Sequence, residues 1–144
     1  MLTGARILKS DSKEAIQKAI KEYDAIKQHT YDYKIISKNT GFSIEQCQIV
    51  KNYIFNTDHY MMINRIEILD KFPPDYAIAK SWLRLSTEGG KIEPHDVLLL
   101  YHELTEISYL VKNSNISQLM AHNYANMQYD YGKAVKLYEL SHNL

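Results

Sequence analysis

His102, Glu103 and Glu106 lie in the run HELTE, one position short of the H-E-x-x-H zinc signature, because Glu106 stands where the second histidine would be. Residues four apart sit one turn from each other on a helix, so His102 and Glu106 can reach one cation, and Glu103 occupies the place where such enzymes keep their general base. His95 and Leu99 extend the same stripe, since steps of four, three and four residues at about 100° each fall in a narrow band. A third ligand must come from elsewhere. The short connection at Asn113 to Asn115 should return the next helix antiparallel and bring His122 beside His102 or Glu106. Imidazole and carboxylate suit zinc or another divalent metal, and three protein ligands leave a place for water, whose pKa the metal brings to about 7. The competing reading is bland: a histidine and a glutamate at this spacing also form a surface hydrogen bond worth a few tenths of a kcal/mol, roughly, with no metal at all.

Other residues carry the same double reading. His59 follows Asp58 and is either an acid-base histidine or a loop histidine bonded to its neighbour. Trp82 reads most simply as a core anchor. Arg84 either clamps an anionic substrate or, more simply, pairs with a nearby carboxylate. Twelve tyrosines, among them Tyr124, Tyr129 and Tyr131, form a stacking platform or partner surface, or serve as the large core residue in a chain with three phenylalanines.

Nearly all of these residues fall on helices. Asp11 with Glu14 reads as a capping box for a helix of about residues 11–29, whose face is Ala15, Ile16, Ala19, Ile20, Tyr23 and Ile26. A short helix over Tyr33 to Asn39 stops at Thr40-Gly41, and Ser43 with Gln46 starts another that runs to about Phe55. Two helices joined at a glycine raise a helix-turn-helix reading, but Glu45 at the start of the second opposes phosphate contact, so plain helix packing is preferred. Residues 56–72 read as an irregular or short β segment. Asp75 caps a helix through Tyr76, Ala79, Trp82, Leu83 and Leu85, and Glu93-Pro94 starts a long one to about Lys112. On that helix Val97, Leu98, Leu100, Tyr101, Leu104, Ile107, Ser108 and Val111 make a wide apolar arc expected to face the core. Ser117 caps a helix through Ala121 and Ala125, and a last helix runs from about Gly132 to Leu140.

Composition sets the frame. A chain of 144 residues, 45% hydrophobic and 24% charged, reads as one mainly α domain of six or seven helices, able to bury a core. Seventeen basic and seventeen acidic side chains cancel, so nothing in the balance favours nucleic acid, though a local basic patch is not thereby excluded. The single cysteine, Cys47, cannot form an internal disulfide, which fits a reducing compartment or a product indifferent to redox. The longest apolar run, Val97 to Tyr101, is far short of a membrane span, and the N-terminus lacks the apolar stretch of a signal peptide.

The succession TGFSIEQCQIVKNYIF, Asp58-His59, FPPDYAIAKSWLRLSTEG, HDVLLLYHELTEISYL and AHNYANMQYDY resembles a domain found at the C-termini of phage head-morphogenesis proteins of the MuF type and of bacterial polymorphic toxins, including LXG-type secreted ones. The resemblance covers about residues 34–131. Its marks fall on His59, Trp82, Arg84, Leu85, Asp96, His102, Glu103, Glu106, His122 and Tyr131, and it implies that these polar residues assemble into one site. It implies a bacterial or phage-encoded protein, cytoplasmic or exported by a dedicated system, and an immunity protein as partner if the chain is a toxin. It supplies no reaction. The residues themselves allow two classes of function. One is an effector hydrolase, with His102, Glu106 and His122 on a metal or substrate, Glu103 or His59 as acid-base group, Arg84 on an anion, and Trp82, Asp96 and Tyr131 lining the site. The other is a non-enzymatic phage or mobile-element interaction module in which the same residues form a structural hydrogen-bond network.

Overall fold

The computed structural model describes residues 8–144 as a mainly α domain with one small sheet. Helix α1, Lys13–Gln28, is capped by Ser12, whose side chain accepts from the Ala15 amide. The cap is therefore one residue later than the Asp11 expected from sequence, because Ser12 holds the extended backbone (φ -71°, ψ 153°) that an N-cap needs. Ala15, Ala19, Tyr23 and Ile26 are buried as expected, but Ile16 and Ile20 are 47% and 45% exposed, so the packed stripe of α1 is narrower than its apolar content. Helix α2, Asp32–Thr40, stops at Gly41 in the left-handed conformation (φ 85°), where a Cβ would be strained. Helix α3, Ile44–Lys51, begins with a complete Ser43/Gln46 capping box.

At Lys51 the chain runs on into a single π-helical turn, Asn52–Asn56. Within this turn Tyr53, Ile54 and Phe55 are all buried. The turn thus delivers the Tyr53 hydroxyl to the interior while Phe55 packs edge-on against Tyr23 and Trp82.

The segment at 56–72 resolves into an antiparallel hairpin. Strand β1, His59–Ile63, pairs with β2, Ile66–Asp70, in the register His59 with Asp70 through Ile63 with Ile66. Asn64 and Arg65 both have positive φ (50° and 66°), the two-residue turn whose twist matches a hairpin. Helix α4, Tyr76–Leu85, is capped by Asp75, and α5, Pro94–Lys112, opens with proline at its first position. Helices α6, Gln118–Gln128, and α7, Tyr131–Ser141, complete the domain and are capped by Ser117 and Asp130.

Helix α5 is the central element, packed by α3, α4, α6 and α7. Its deeply buried residues are His95, Asp96, Leu99, Leu100, His102, Glu103 and Glu106. Of the expected core arc, Leu100 is buried and Val97, Leu104 and Ile107 pack against the core, while Tyr101 and Val111 are 44% and 77% exposed; the neighbouring polar stripe turns inward as well. A buried polar stripe is costly unless its groups find partners, and those of His95, Asp96, His102 and Glu106 come from α4, α6 and the π turn. The main apolar core, around Trp82, Phe55, Ile36, Val50, Leu85 and Leu100, lies beside that stripe.

Candidate metal centre

His102 and Glu106, one turn apart on α5, meet His122 from α6, as the short loop between these helices suggests. His122 Nδ1 is 3.0 Å from Glu106 Oε1, His102 Nε2 is 3.2 Å from His122 Nδ1, and His102 Nε2 is 3.4 Å from Glu106 Oε1. These edges are those of a face of a small coordination tetrahedron: ligands about 2.0–2.1 Å from zinc at tetrahedral angles lie about 3.3 Å apart. The three side chains form a group that could hold a metal ion. His102 and Glu106 are 3% and 2% exposed but His122 is 43% exposed, so the cluster is closed on the core side and open along His122.

Each ligand is oriented by a further contact. The Nδ1–H of His102 donates to the Tyr129 carbonyl at 2.8 Å, which turns Nε2 toward the cluster. The Tyr53 hydroxyl donates to Glu106 Oε2, and Gln118 Nε2 approaches the same oxygen at 3.4 Å. The Asn126 amide lies 3.2 Å from His122 Nε2. Burial by itself would raise the Glu106 carboxyl, but hydrogen bonds from His102, His122 and Tyr53 outweigh it and hold the pKa at about 2. The same pairing raises His122 above the ordinary histidine value, while burial and the Glu106 charge push the Tyr53 hydroxyl up. Glu106 is therefore a fixed anion at the centre of the cluster.

Glu103 behaves in the opposite way. It turns about 100° from His102 around α5, and burial, then the charges of Glu106 and Asp75, push its pKa well up. Its Oε2 is buried with no hydrogen-bond partner among the described residues. Two carboxyls three residues apart are thus shifted in opposite directions, Glu106 toward the ionised form and Glu103 toward the protonated one.

The remaining sequence candidates lie around this centre without joining its ligand atoms. His59, at the start of β1, bonds through Nε2 to the Tyr53 carbonyl at 2.8 Å and stacks on Phe72 with ring centroids 3.7 Å apart. Its expected neighbour Asp58 pairs instead with Lys71. Burial lowers the His59 pKa, so the ring is held neutral and steadies the residue that binds Glu106. Trp82 is fully buried and donates its indole N–H to Asp32 Oδ2 at 2.9 Å, while Asp32 Oδ1 takes the Lys51 ammonium at 2.8 Å.

A second polar cluster occupies the start of α5. Arg84 binds Asp96 through two parallel bonds, Nε to Oδ2 at 2.8 Å and Nη2 to Oδ1 at 2.7 Å, and Nη2 also donates to His95 Nε2 at 3.1 Å. Asp96 Oδ2 accepts the Glu93 amide as well, so this aspartate fixes the helix entry and an arginine together. Tyr131, at the start of α7, bonds Ser81 at 2.8 Å with its hydroxyl. His95 and His102 share one stripe, but seven residues of rise separate them by about 10 Å, with buried Leu99 between. The structure therefore distributes the sequence candidates over two polar clusters on α5 and a core anchor at Trp82.

Sequence reasoning missed Tyr53, Gln118, Asn126 and the Tyr129 carbonyl. Asn126 had a signal, since it lies one turn after His122 on the same helix. Tyr53 had none, because its direction depends on the π turn. None of the described helices is long and apolar enough to cross a membrane. No protein-family model, curated protein or solved structure matches the chain.

Proposed function

We propose that the chain is a metal-dependent effector hydrolase of the toxin-like or phage-associated kind suggested by its sequence motifs, with a divalent ion, zinc by preference, on His102, Glu106 and His122. The observation that carries this reading is the triangle of donor atoms, 3.0 to 3.4 Å on each side, built from two helices and open along one histidine. Two imidazoles and one carboxylate are the mixed nitrogen and oxygen set that suits zinc, and three protein ligands are the number that catalytic sites keep. When bound, such an ion supplies Lewis acidity, polarising a carbonyl or phosphoryl oxygen or acidifying water.

The chain's own residues have separable parts in this reading. Glu106 contributes the charge, and Tyr53 fixes its rotamer from the far side. Tyr129 selects the His102 tautomer that presents Nε2. Asn126 accompanies His122, whose Nε2 must carry the proton when Nδ1 is the ligand; rotating the Asn126 amide by half a turn converts it from donor to acceptor for that N–H. Substrate approaches along His122, the exposed side. If the effector is a toxin, an immunity protein that covers His122 is its expected partner.

A second reading, an α-helical interaction module with a structural polar network, is favoured by the same triangle holding one proton between His122 and Glu106 and by Tyr53 and Gln118 satisfying the outer oxygen. Induced expression separates the two. Growth arrest by the wild-type chain, relieved by His102→Ala at equal protein level, is expected for the effector. Equal growth of both hosts removes it and leaves the module.

A further inference from the structure

The second polar cluster opens on a cavity of about 290 Å³ between α4, α7 and the segment entering α1, well apart from the histidine triangle. Its walls are apolar where Leu8, Tyr76, Ala77 and Val135 meet, and polar where Arg84 and His95 meet. We propose that this cavity binds a small amphipathic carboxylic acid, with the carboxylate on Arg84 and the apolar body against Tyr76 and Val135.

Three features support a built site. First, Arg84 is immobilised before any ligand arrives. Its Nε and Nη2 are committed to fully buried Asp96 and to His95, and its guanidinium lies over the Tyr138 ring at 5.8 Å. Second, Arg84 lines the cavity and its Nη1 has no partner among the described residues, so its N–H groups remain to donate to an oxygen of a ligand carboxylate. Since Asp96 already balances the arginine charge, recognition rests on the direction of these N–H groups more than on net field. Third, one wall is strapped in place. Glu139 on α7 accepts the Ser10 amide at 3.3 Å and the Ser10 hydroxyl at 2.9 Å, which holds the Leu8 end of the chain over the cavity. Glu139 is thereby turned to the strap, and Lys80, paired with Glu22 at 2.6 Å, stands at the rim. The volume lies near the lower end of ligand pockets, about 300 Å³, which suits one short chain or ring.

Titration calorimetry of the full chain, kept in chelator to silence the histidine triangle, tests this with octanoate and with octanol as its uncharged counterpart. The expected result is one saturable octanoate site per chain, octanol weaker by about tenfold or more, loss of the site in Ala77→Phe, which fills the cavity, and unchanged affinity in His122→Ala. Arg84→Lys, with its fold checked by circular dichroism, should weaken octanoate and leave octanol alone. No saturable octanoate binding by the wild-type chain overturns the proposal, as does octanol binding equally well, or binding that persists in Ala77→Phe. The octanoate–octanol comparison needs no variant, so the test stands even if Arg84→Lys unfolds.

Discussion

His122 Nδ1 lies 3.0 Å from Glu106 Oε1, and one proton on that nitrogen is what joins them. A metal at the cluster must displace that proton, because a ligating imidazole offers a lone pair. The pairing raises the His122 pKa, so the competing proton is held more tightly than on a free histidine. Metal affinity should therefore rise with pH and level off only above the raised His122 pKa, with a slope of about tenfold per pH unit below it. Zinc titrations across pH 5.5 to 8 in a non-chelating buffer check this, and a flat profile would count against His122 as a ligand.

Glu103 and Glu106 should leave opposite marks on acid stability. Glu106, held at about 2, contributes stability that is present above the ordinary carboxyl value and lost as pH falls toward 2. Glu103, whose pKa burial raises, favours folding below the ordinary carboxyl value and progressively opposes it as pH rises toward its folded value. Glu103→Gln should then gain stability over the wild type as pH goes from 4.5 to 7, a range over which the deficit of Glu106→Gln, opened between about 2 and 4.5, changes little. Paired urea melts at the two pH values decide this; a Glu103→Gln difference that does not change with pH would show that the residue is ionised when buried.

Arg84→Ala leaves Asp96, which is 0% exposed, with its charge unpaired. The expected loss is about 3–5 kcal/mol, the cost of breaking a buried pair by removing one partner. Arg84→Met with Asp96→Leu, which removes both charges, should cost less than Arg84→Ala alone. Chemical denaturation of the three variants measures both differences.

Trp82→Phe removes the indole N–H from Asp32 Oδ2 and shrinks a fully buried side chain. A loss of about 2 kcal/mol or more follows from an unsatisfied buried acceptor plus a small cavity. Because the indole is enclosed, its fluorescence in the native chain should be resistant to acrylamide quenching. Ready quenching would contradict its burial.

Much of the helical order was legible in local chemistry. Ser43 with Gln46, Asp75, Glu93-Pro94 and Ser117 mark helix starts because a side-chain acceptor or a proline meets a need of the first turn. The N-cap of α1 was misplaced by one residue since Asp11 and Ser12 both suit a cap, and only backbone conformation separates them. The hairpin turn at Asn64-Arg65 was obscure because it lacks the glycine that usually marks it. The apolar arc of α5 was legible in periodicity, but the burial of the polar stripe beside it was not, because His102, Glu106 and Asp96 are enclosed by partners on α6, the π turn and α4 that no spacing within α5 encodes. His122 was within reach because a short loop dictates an antiparallel return. Tyr53 was not, since the i to i+5 turn that aims it has no sequence mark.

The most direct test is metal stoichiometry. Protein stripped with chelator and dialysed against excess zinc, then passed through a desalting column, should carry one ion per chain by elemental analysis, falling to near zero in His122→Ala and in Glu106→Gln. One ion per chain lost in both variants is the result predicted by the triangle of His102, Glu106 and His122. No retained zinc in the wild-type chain, or retention unchanged in both variants, would contradict it.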